Sequence, residues 1–214
     1  FHEDDCYGFY TLHWSAGDEC DNHATATQVI DIFDTTPPTV TITCPSDTIV
    51  YSDADCYSNT TIAALGSATA MGDDNCDYEV SEPVSFDIVT HTDGAGCYVI
   101  ERTWSATATD ACGLTATATC TQTIEVKDII DPVIHVTDTE APCGPHYAGY
   151  THAQWEALGG ATVTDNCDDH VTTHVTSAVF HEDDCYGFYT LHWSAGDECD
   201  NHATATQVID IFDT

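Results

Sequence analysis

Carboxylates gathered on short turns are the residues of this sequence best suited to chemistry. Four stretches carry them, GDDNCD, TDAC, TDNCDD and GDECDN, and each also contains a cysteine. Oxygen ligands on tight turns are what Ca²⁺ requires, six to eight of them at about 2.4 Å. Asp and Asn also populate turns for backbone reasons alone, so a purely structural interpretation stays open. The turn residues that we predict as calcium ligands are Asp73, Asp74, Asp77, Asp110, Asp165, Asp168, Asp197 and Asp200.

Two linkers that contain Asp and Pro add further candidate ligands. DTTPP begins at Asp34 and DIIDP begins at Asp128, and the second linker also contains Asp131. Proline fixes the local backbone and holds each linker extended, which discourages a flexible joint. We therefore predict that Asp34, Asp128 and Asp131 add calcium ligands at domain joints and stiffen them.

The charge balance excludes several classes of partner. Arg102 and Lys127 are the two basic residues, against 37 acidic ones, and the formal net charge is −35. Nucleic acid and anionic membrane surfaces would both be repelled. The chain is nevertheless 42% hydrophobic, with ten Tyr, seven Phe and four Trp, which is enough to build packed cores. No apolar run reaches the length of a membrane span, so we expect no membrane insertion in this segment.

The elements that position these turns are predicted to be β-strands. Thr alternates with apolar residues, as in LTATATCTQTIEV, where Ala116, Ala118, Cys120, Ile124 and Val126 share one face. Period-two alternation with β-branched residues is typical of half-buried strands, so the pattern favours an all-β sandwich fold. One short helix per domain is expected. In YTHAQWEALGG, Thr151 and Gln154 form a capping box and Gly159 can end the helix, while YSNTTIAALG ends in the same way at Gly66.

The sequence repeats at two levels. Residues 1–35 and 180–214 are identical at all 35 positions, an offset of 179. This identity indicates either a recent duplication or a window cut from an array of period 179, and we favour the array. A weaker internal similarity divides the period into two related domains. We predict half of a domain at 1–34, a domain with three disulfides at 35–128, and a domain with two disulfides at 129–214.

Cysteine usage predicts disulfides and an extracellular or cell-surface location. One period contains ten Cys, an even number without a CxxC pair. When the two domains are aligned, Cys44 falls on Asp138 and Cys120 falls on Gln207. This joint loss predicts a bond between Cys44 and Cys120. The other predicted pairs are Cys76 with Cys112, Cys167 with Cys199, Cys56 with Cys97, and Cys143 with Cys185, although spacing alone does not prove connectivity.

The duplicated segment carries two more cysteines, Cys6 and Cys20. They are copies of Cys185 and Cys199, whose predicted partners precede them in the array. We expect Cys6 and Cys20 to bond with a preceding repeat of the same polypeptide or with a neighbouring molecule.

Several stretches resemble the hyalin-repeat group of immunoglobulin-like modules, found in tandem in extracellular surface proteins. They are DTTPPTVTITCPSD, DDNCD and ERTWSATATDACGLTATATCTQTIEVKD, which together extend over residues 34–128. The second domain resembles the group only in part, because it lacks the CP cysteine and its mate. The resemblance implies tandem immunoglobulin-like sandwiches, a bond from the CP cysteine to the last strand, and a role in adhesion or extracellular scaffolding. It names no ligand, since such folds host many functions.

Three further features bear on function. Trp104 and Trp193 occupy matching WSA positions and are predicted to pack in the cores. Asn59, in NTT, is an acceptor pattern for N-glycosylation. His170 and His174, in HVTTH, could bind a transition metal, but exposed polar residues are the favoured interpretation of this pair. We find no enzyme signature and predict that the protein is not an enzyme.

Two functional hypotheses follow from these features. The first is a structural subunit of an extracellular filament or stalk, in which copies of a 179-residue, two-domain unit follow one another end to end. The second is a calcium-dependent cell-surface adhesin that binds glycans or a receptor. An adhesin should carry a distinct recognition patch, whereas an array of identical repeats presents one face throughout.

Overall fold

The structure is a computed structural model that describes residues 2–4, 7–94, 96–143, 147–182 and 187–212. Strands dominate these residues. The first ten are β1 (His2–Asp4), β2 (Tyr7–Gly17), β3 (His23–Phe33), β4 (Thr39–Thr43), β5 (Thr48–Tyr51), β6 (Thr69–Asp73), β7 (Tyr78–Val80), β8 (Val84–Gly94), β9 (Cys97–Asp110) and β10 (Thr115–Lys127). The remaining six are β11 (Val133–His135), β12 (Thr139–Pro142), β13 (Thr162–Thr164), β14 (Thr172–Glu182), β15 (Gly187–Gly196) and β16 (His202–Phe212). The predicted all-β fold is confirmed.

Alternation along the chain determines which side chains are buried. In β10 the inward positions Gln122, Ile124 and Val126 are buried, while Thr123 and Glu125 between them are only half-buried. In β9 the inward set includes Trp104, which is 2% exposed, and Arg102, which is 3% exposed. The predicted core position of Trp104 is therefore confirmed.

The strands form matching sheets in the two halves of the repeat. One sheet has the order β5-β10-β9-β7 with β8 also on β9, and its counterpart has the order β12-β16-β15-β14. In both sheets the short first strand runs parallel to the last one, β5 on β10 and β12 on β16. Two-stranded sheets, β4-β6 and β11-β13, complete the set, and β1-β2-β3 form a separate sheet from the first copy of the duplicated segment.

The best-formed core lies between residues 129 and 212. Trp193 is 1% exposed, as predicted, and packs with Leu191, Ile209 and Trp155. The indole of Trp155 comes from a helix and lies 4.7 Å, centroid to centroid, from the ring of Tyr189. This core packs the helix that carries Trp155 against the sheet formed by β12, β16, β15 and β14.

In the described part of the chain two short helices interrupt the strands, as predicted, α1 (Ile62–Leu65) and α2 (His152–Gly159), and a 3₁₀ turn lies at Tyr147–Gly149. Thr151 accepts from the backbone N–H of Gln154, and the Gln154 side chain accepts from the backbone N–H of Thr151, so the capping box is confirmed. The left-handed residue that ends α2 is Gly160, with φ 65°, rather than Gly159. Gly66 is left-handed after α1, as expected.

The chain divides into two compact units. One unit contains Phe1–Ser46, Leu65–Asp87 and Arg102–Gln122, and the other contains Asp47–Ala64, Ile88–Glu101 and Thr123–Thr214. The second unit therefore contains residues of both predicted domains, 35–128 and 129–214. No helix in the described part of the chain has the length and apolar character needed to cross a membrane.

One predicted disulfide is present, and other cysteines pair differently from the prediction. The bond from Cys44 to Cys120 is confirmed. The predicted pairs Cys56–Cys97 and Cys167–Cys199 are wrong, because Cys56 bonds Cys167 and Cys97 bonds Cys199. Both observed bonds connect the predicted domain 35–128 to the predicted domain 129–214, within one compact unit.

The other predicted pairs are also corrected. Cys76 is a free thiol and Cys112 is bonded elsewhere, so the predicted Cys76–Cys112 bond is wrong. Cys143 is free as well, which contradicts the predicted bond to Cys185. Cys20 is a third free thiol, while Cys6 and Cys185 lie outside the described residues. The physical reason is that non-equivalent turns of neighbouring predicted domains meet: the Cα atoms of Cys56 and Cys167 are 4.9 Å apart, and those of Cys97 and Cys199 are 5.7 Å apart.

Candidate calcium sites

Two groups of three carboxylates converge at equivalent places in the repeat. The first carboxylate cluster contains Asp34, Asp74 and Asp110, and the second contains Asp128, Asp165 and Asp197. Within each cluster one oxygen per residue lies within 4.8 Å of the others. All six residues were among the predicted calcium ligands.

Equivalent strand ends position the two clusters. The linker residues Asp34 and Asp128 follow β3 and β10. Asp74 and Asp165 follow β6 and β13, each at the start of an Asp-Asn-Cys turn.

The third carboxylate of each cluster comes from the strand that carries the core Trp. Asp110 ends β9, and Asp197 follows β15. Because the two domains share a sequence pattern, the same three strand ends meet twice.

In the second cluster, hydrogen bonds from backbone N–H groups fix one oxygen of the linker carboxylate, Asp128, and one oxygen of the turn carboxylate, Asp165. Asp165 Oδ1 accepts from the N–H groups of Cys167 and Asp168, both at 2.9 Å. Asp128 Oδ1 accepts from the N–H of Ile130 at 3.1 Å and from the Asn166 side chain at 3.2 Å. The Oδ2 atoms of Asp128 and Asp165 are buried and have no hydrogen-bond partner among the described residues. These two oxygens are therefore held in place with no donor to satisfy them.

The first cluster has a similar arrangement. Asp34 Oδ1 accepts from the N–H of Thr36 at 2.9 Å and from the Asn75 amide at 3.2 Å, and these bonds lower the pKa of Asp34. Asp110 Oδ1 accepts from the N–H of Leu114 at 2.8 Å. The Oδ2 atoms of Asp34, Asp74 and Asp110 are buried and unpartnered among the described residues.

Burial makes these oxygens costly without a cation. Asp110 is 5% exposed and Asp128 is 3% exposed. A buried carboxylate oxygen that lacks a donor incurs a desolvation cost, and three like charges at such short range repel one another. A divalent cation would remove both penalties at once, and an all-oxygen donor set is the one that Ca²⁺ prefers. The residues present therefore fit calcium.

Asparagines near the clusters escaped the sequence-based prediction of ligands. Asn166 Oδ1 is buried and unpartnered among the described residues, which makes it a further candidate oxygen ligand. Asn201 donates to Asp197 Oδ2 at 2.7 Å and to the backbone oxygen of Asp128 at 3.3 Å. Their position next to an Asp in the turns DNC and CDN was the available signal.

A third acidic group differs from the first two. Asp168, Asp169 and His170 bring ligand atoms together, but the side chains of Asp169 and His170 are 91% and 87% exposed. The His170 ring contacts the Asp169 carboxylate, and because both side chains are exposed this group incurs no burial cost that a metal would relieve. The predicted ligands Asp73, Asp77, Asp131 and Asp200 belong to none of the three groups found among the described residues.

Asn59, the predicted glycosylation acceptor, lies on the exposed surface outside the strands. Its side-chain oxygen accepts from the Thr61 hydroxyl at 2.8 Å.

The fold and sites define an all-β, disulfide-bonded protein with repeated acidic clusters. No protein-family model matches the chain, and no curated protein matches it. Among solved structures, it is similar to a protocadherin gammaB7 EC3-6 cis-dimer structure, with 14% identity, a TM-score of 0.35, and coverage of 96% of this chain and 58% of that one.

Two further solved structures give similar values. The protocadherin gammaB4 extracellular domain shows 13% identity, a TM-score of 0.38, and coverage of 98% and 40%. Drosophila N-cadherin EC1-4 shows 11% identity, a TM-score of 0.32, and coverage of 97% and 58%. The chain thus spans about two fifths to three fifths of the length of these three proteins. Similarities this weak identify neither a ligand nor a partner.

Proposed function

We propose that the chain is part of an extracellular filament or stalk built from a tandem two-domain repeat, with joints stiffened by disulfides and calcium. The observation that carries this proposal is the recurrence of one carboxylate arrangement at both linkers, Asp34 in the first and Asp128 in the second. A single calcium site would suit many functions. A site repeated at each linker suits a column in which every joint must resist bending.

Covalent cross-links support the same function. The bonds Cys56–Cys167 and Cys97–Cys199 tie the predicted domains 35–128 and 129–214 together beside the Asp128 linker. A binding module that needs mobility between domains gains nothing from two bonds across one joint. A filament gains a fixed angle from one domain to the next.

Surface charge is compatible with a persistent extracellular fibre. Cations bound at the joints neutralise part of the net charge of −35, and the rest keeps neighbouring fibres apart. We place the protein outside the cell because its disulfides are stable in an oxidising environment.

Electron microscopy of native material tests the filament proposal. We expect uniform fibres with a regular axial repeat, and a chelator should increase their bending without dissolving them, because the disulfides persist. Isolated globular particles would refute the proposal. If such particles bind glycans or cells only when Ca²⁺ is present, the adhesin hypothesis is the correct one.

A further inference from the structure

One 35-residue sequence occurs in two different environments in this chain. Trp14 is 57% exposed, whereas its copy Trp193 is 1% exposed. Ile30 is 42% exposed, and its copy Ile209 is fully buried. Along β3 every residue is exposed, although β16 has the same sequence and buries alternate side chains.

The two copies nevertheless have the same local structure. Tyr10 pairs with Ile30 across β2 and β3, and Tyr189 pairs with Ile209 across β15 and β16. The Trp14 indole donates to Gln28 at 3.2 Å, as the Trp193 indole donates to Gln207 at 3.1 Å. The exposed copy is therefore already in the shape of the buried one and lacks only its cover.

The cover on the buried copy comes from residues 129–179. β12 extends the sheet by pairing with β16, and Trp155 from α2 stacks near Tyr189. The Gln207 amide donates to the backbone oxygens of Thr137 at 2.6 Å and Gly159 at 2.8 Å. Gln28 presents the same amide on the exposed face.

The free thiols indicate the same missing neighbour. The internal similarity of the two domains makes Cys76 equivalent to Cys167 and Cys143 equivalent to Cys56, and Cys56 and Cys167 are bonded to each other. Yet Cys76 and Cys143 are both free.

Their surroundings match as well. Asn75 lies 3.3 Å from Cys76 Sγ and 3.2 Å from Asp34 Oδ1, and Asn166 lies 3.2 Å from both Cys167 Sγ and Asp128 Oδ1. Cys76 is thus placed as Cys167 is, without its partner.

We propose that a further copy of residues 129–179, directly preceding residue 1, covers β2 and β3, and that its Cys143 forms a disulfide with Cys76. This inference rests on the proposed tandem array and adds a specific covalent lock between successive repeats. The bond forms by thiol–disulfide exchange with a small-molecule disulfide such as oxidised glutathione. The two thiols lose two protons and two electrons, and one oxidised glutathione becomes two reduced molecules.

The test uses the full chain extended at its start by a second copy of residues 129–179. A Thr27→Ser substitution marks β3, so that its peptides differ in mass from the identical peptides of β16. Both the marked 214-residue chain and the marked extended chain are folded with oxidised and reduced glutathione. Hydrogen exchange and disulfide mapping are then measured on peptic digests.

We expect Cys76 to be linked to Cys143 of the added copy. We also expect the amides of β3 to exchange at least about tenfold more slowly than in the 214-residue chain, because a covered strand opens less often than an exposed one. Cys143→Ser in the added copy should free Cys76, and Cys143→Ser in the original copy should leave the bond intact.

Two results would overturn the proposal. One is that the Cys76 thiol can still be alkylated in the extended chain whose original copy carries Cys143→Ser. The other is that the amides of β3 exchange hydrogen as fast in the extended chain as in the 214-residue chain. This exchange can be measured even when Cys143 of the added copy is replaced by Ser. Neither result depends on fibres or calcium, so failure here is distinguishable from failure of the proposed filament.

Discussion

Calcium bound at the second carboxylate cluster should stabilise this protein by an amount set by the ratio of free Ca²⁺ to its dissociation constant. One cation held by Asp128, Asp165 and Asp197 adds about 2.7 kcal/mol when free Ca²⁺ is 100 times its dissociation constant. For a chain of this size, this gain corresponds to a rise in Tm of roughly 5–10 °C per site. Differential scanning calorimetry in Ca²⁺ and in EGTA measures the difference directly.

The substitution Asp165→Asn gives a sharper test because its effect should change sign. Asn keeps an oxygen to accept from the N–H groups of Cys167 and Asp168, and it turns an NH₂ group toward Asp128. In EGTA the variant should melt higher than wild type, since relieving one like-charge contact is worth about 1 kcal/mol or more. In Ca²⁺ it should lose most of the gain at this site.

Asp131→Asn is the matched control. Asp131 lies in the same linker but is exposed and belongs to no carboxylate cluster among the described residues. It should keep the full response to Ca²⁺. A wild-type Tm that is equal in Ca²⁺ and EGTA, or an equal loss in the Asp131 and Asp165 variants, would refute the calcium assignment.

Three further predictions concern stability. Trp193→Ala should lower the free energy of unfolding by about 3–5 kcal/mol, while Trp14→Ala in the identical sequence should cost under about 1 kcal/mol; urea denaturation compares them. Asp87→Asn removes the bidentate partner of the buried Arg102 guanidinium, at 2.7 and 2.8 Å, and should cost about 1–3 kcal/mol, a range kept low because the Asp87 side chain is 40% exposed. Glu125→Gln should cost under about 1 kcal/mol, because its partner Lys127 is 43% exposed whereas Arg102 is 4% exposed. The reverse order would mean that burial of the basic partner does not determine the strength of these two ion pairs. Because the hydrogen bonds from Arg102 lower the pKa of Asp87, its stabilisation is present above the unfolded pKa and is lost as pH falls through the folded pKa; urea titrations from pH 6 to pH 2 should show a steeper loss in wild type than in Asp87→Asn.

Features controlled by local sequence could be predicted well. The alternation of Thr with apolar residues gave the strands and the inward position of Trp104, since side-chain direction in a strand depends only on parity. The capping box at Thr151 depends on residues three apart, which a sequence displays directly. The carboxylates of the two clusters were predicted because turn residues that share a place in two domains share a role.

Features that depend on the approach of distant turns could not be predicted. Cys56 and Cys97 belong to one predicted domain, and nothing in their spacing reveals that each lies closer to a turn of the next domain than to the other. The similarity between domains identified which positions are equivalent, but not which two kinds of position pair: Cys56 bonds Cys167, the equivalent of Cys76, instead of Cys97. The sequence also did not separate Asp74, which follows β6 and is a cluster residue, from Asp73, which ends that strand and is not.

The burial of Arg102 limits where trypsin-like proteases can cleave this protein. Enzymes that cleave after Lys or Arg have two target side chains in the entire sequence. The Arg102 side chain is 4% exposed and clamped by Asp87, and Lys127 lies at the end of β10 with its ammonium 2.9 Å from Glu125. Trypsin-like digestion would therefore leave the folded protein largely uncut. Aldehyde fixatives, which react with amines, would have Lys127 as the one side-chain amine to react with.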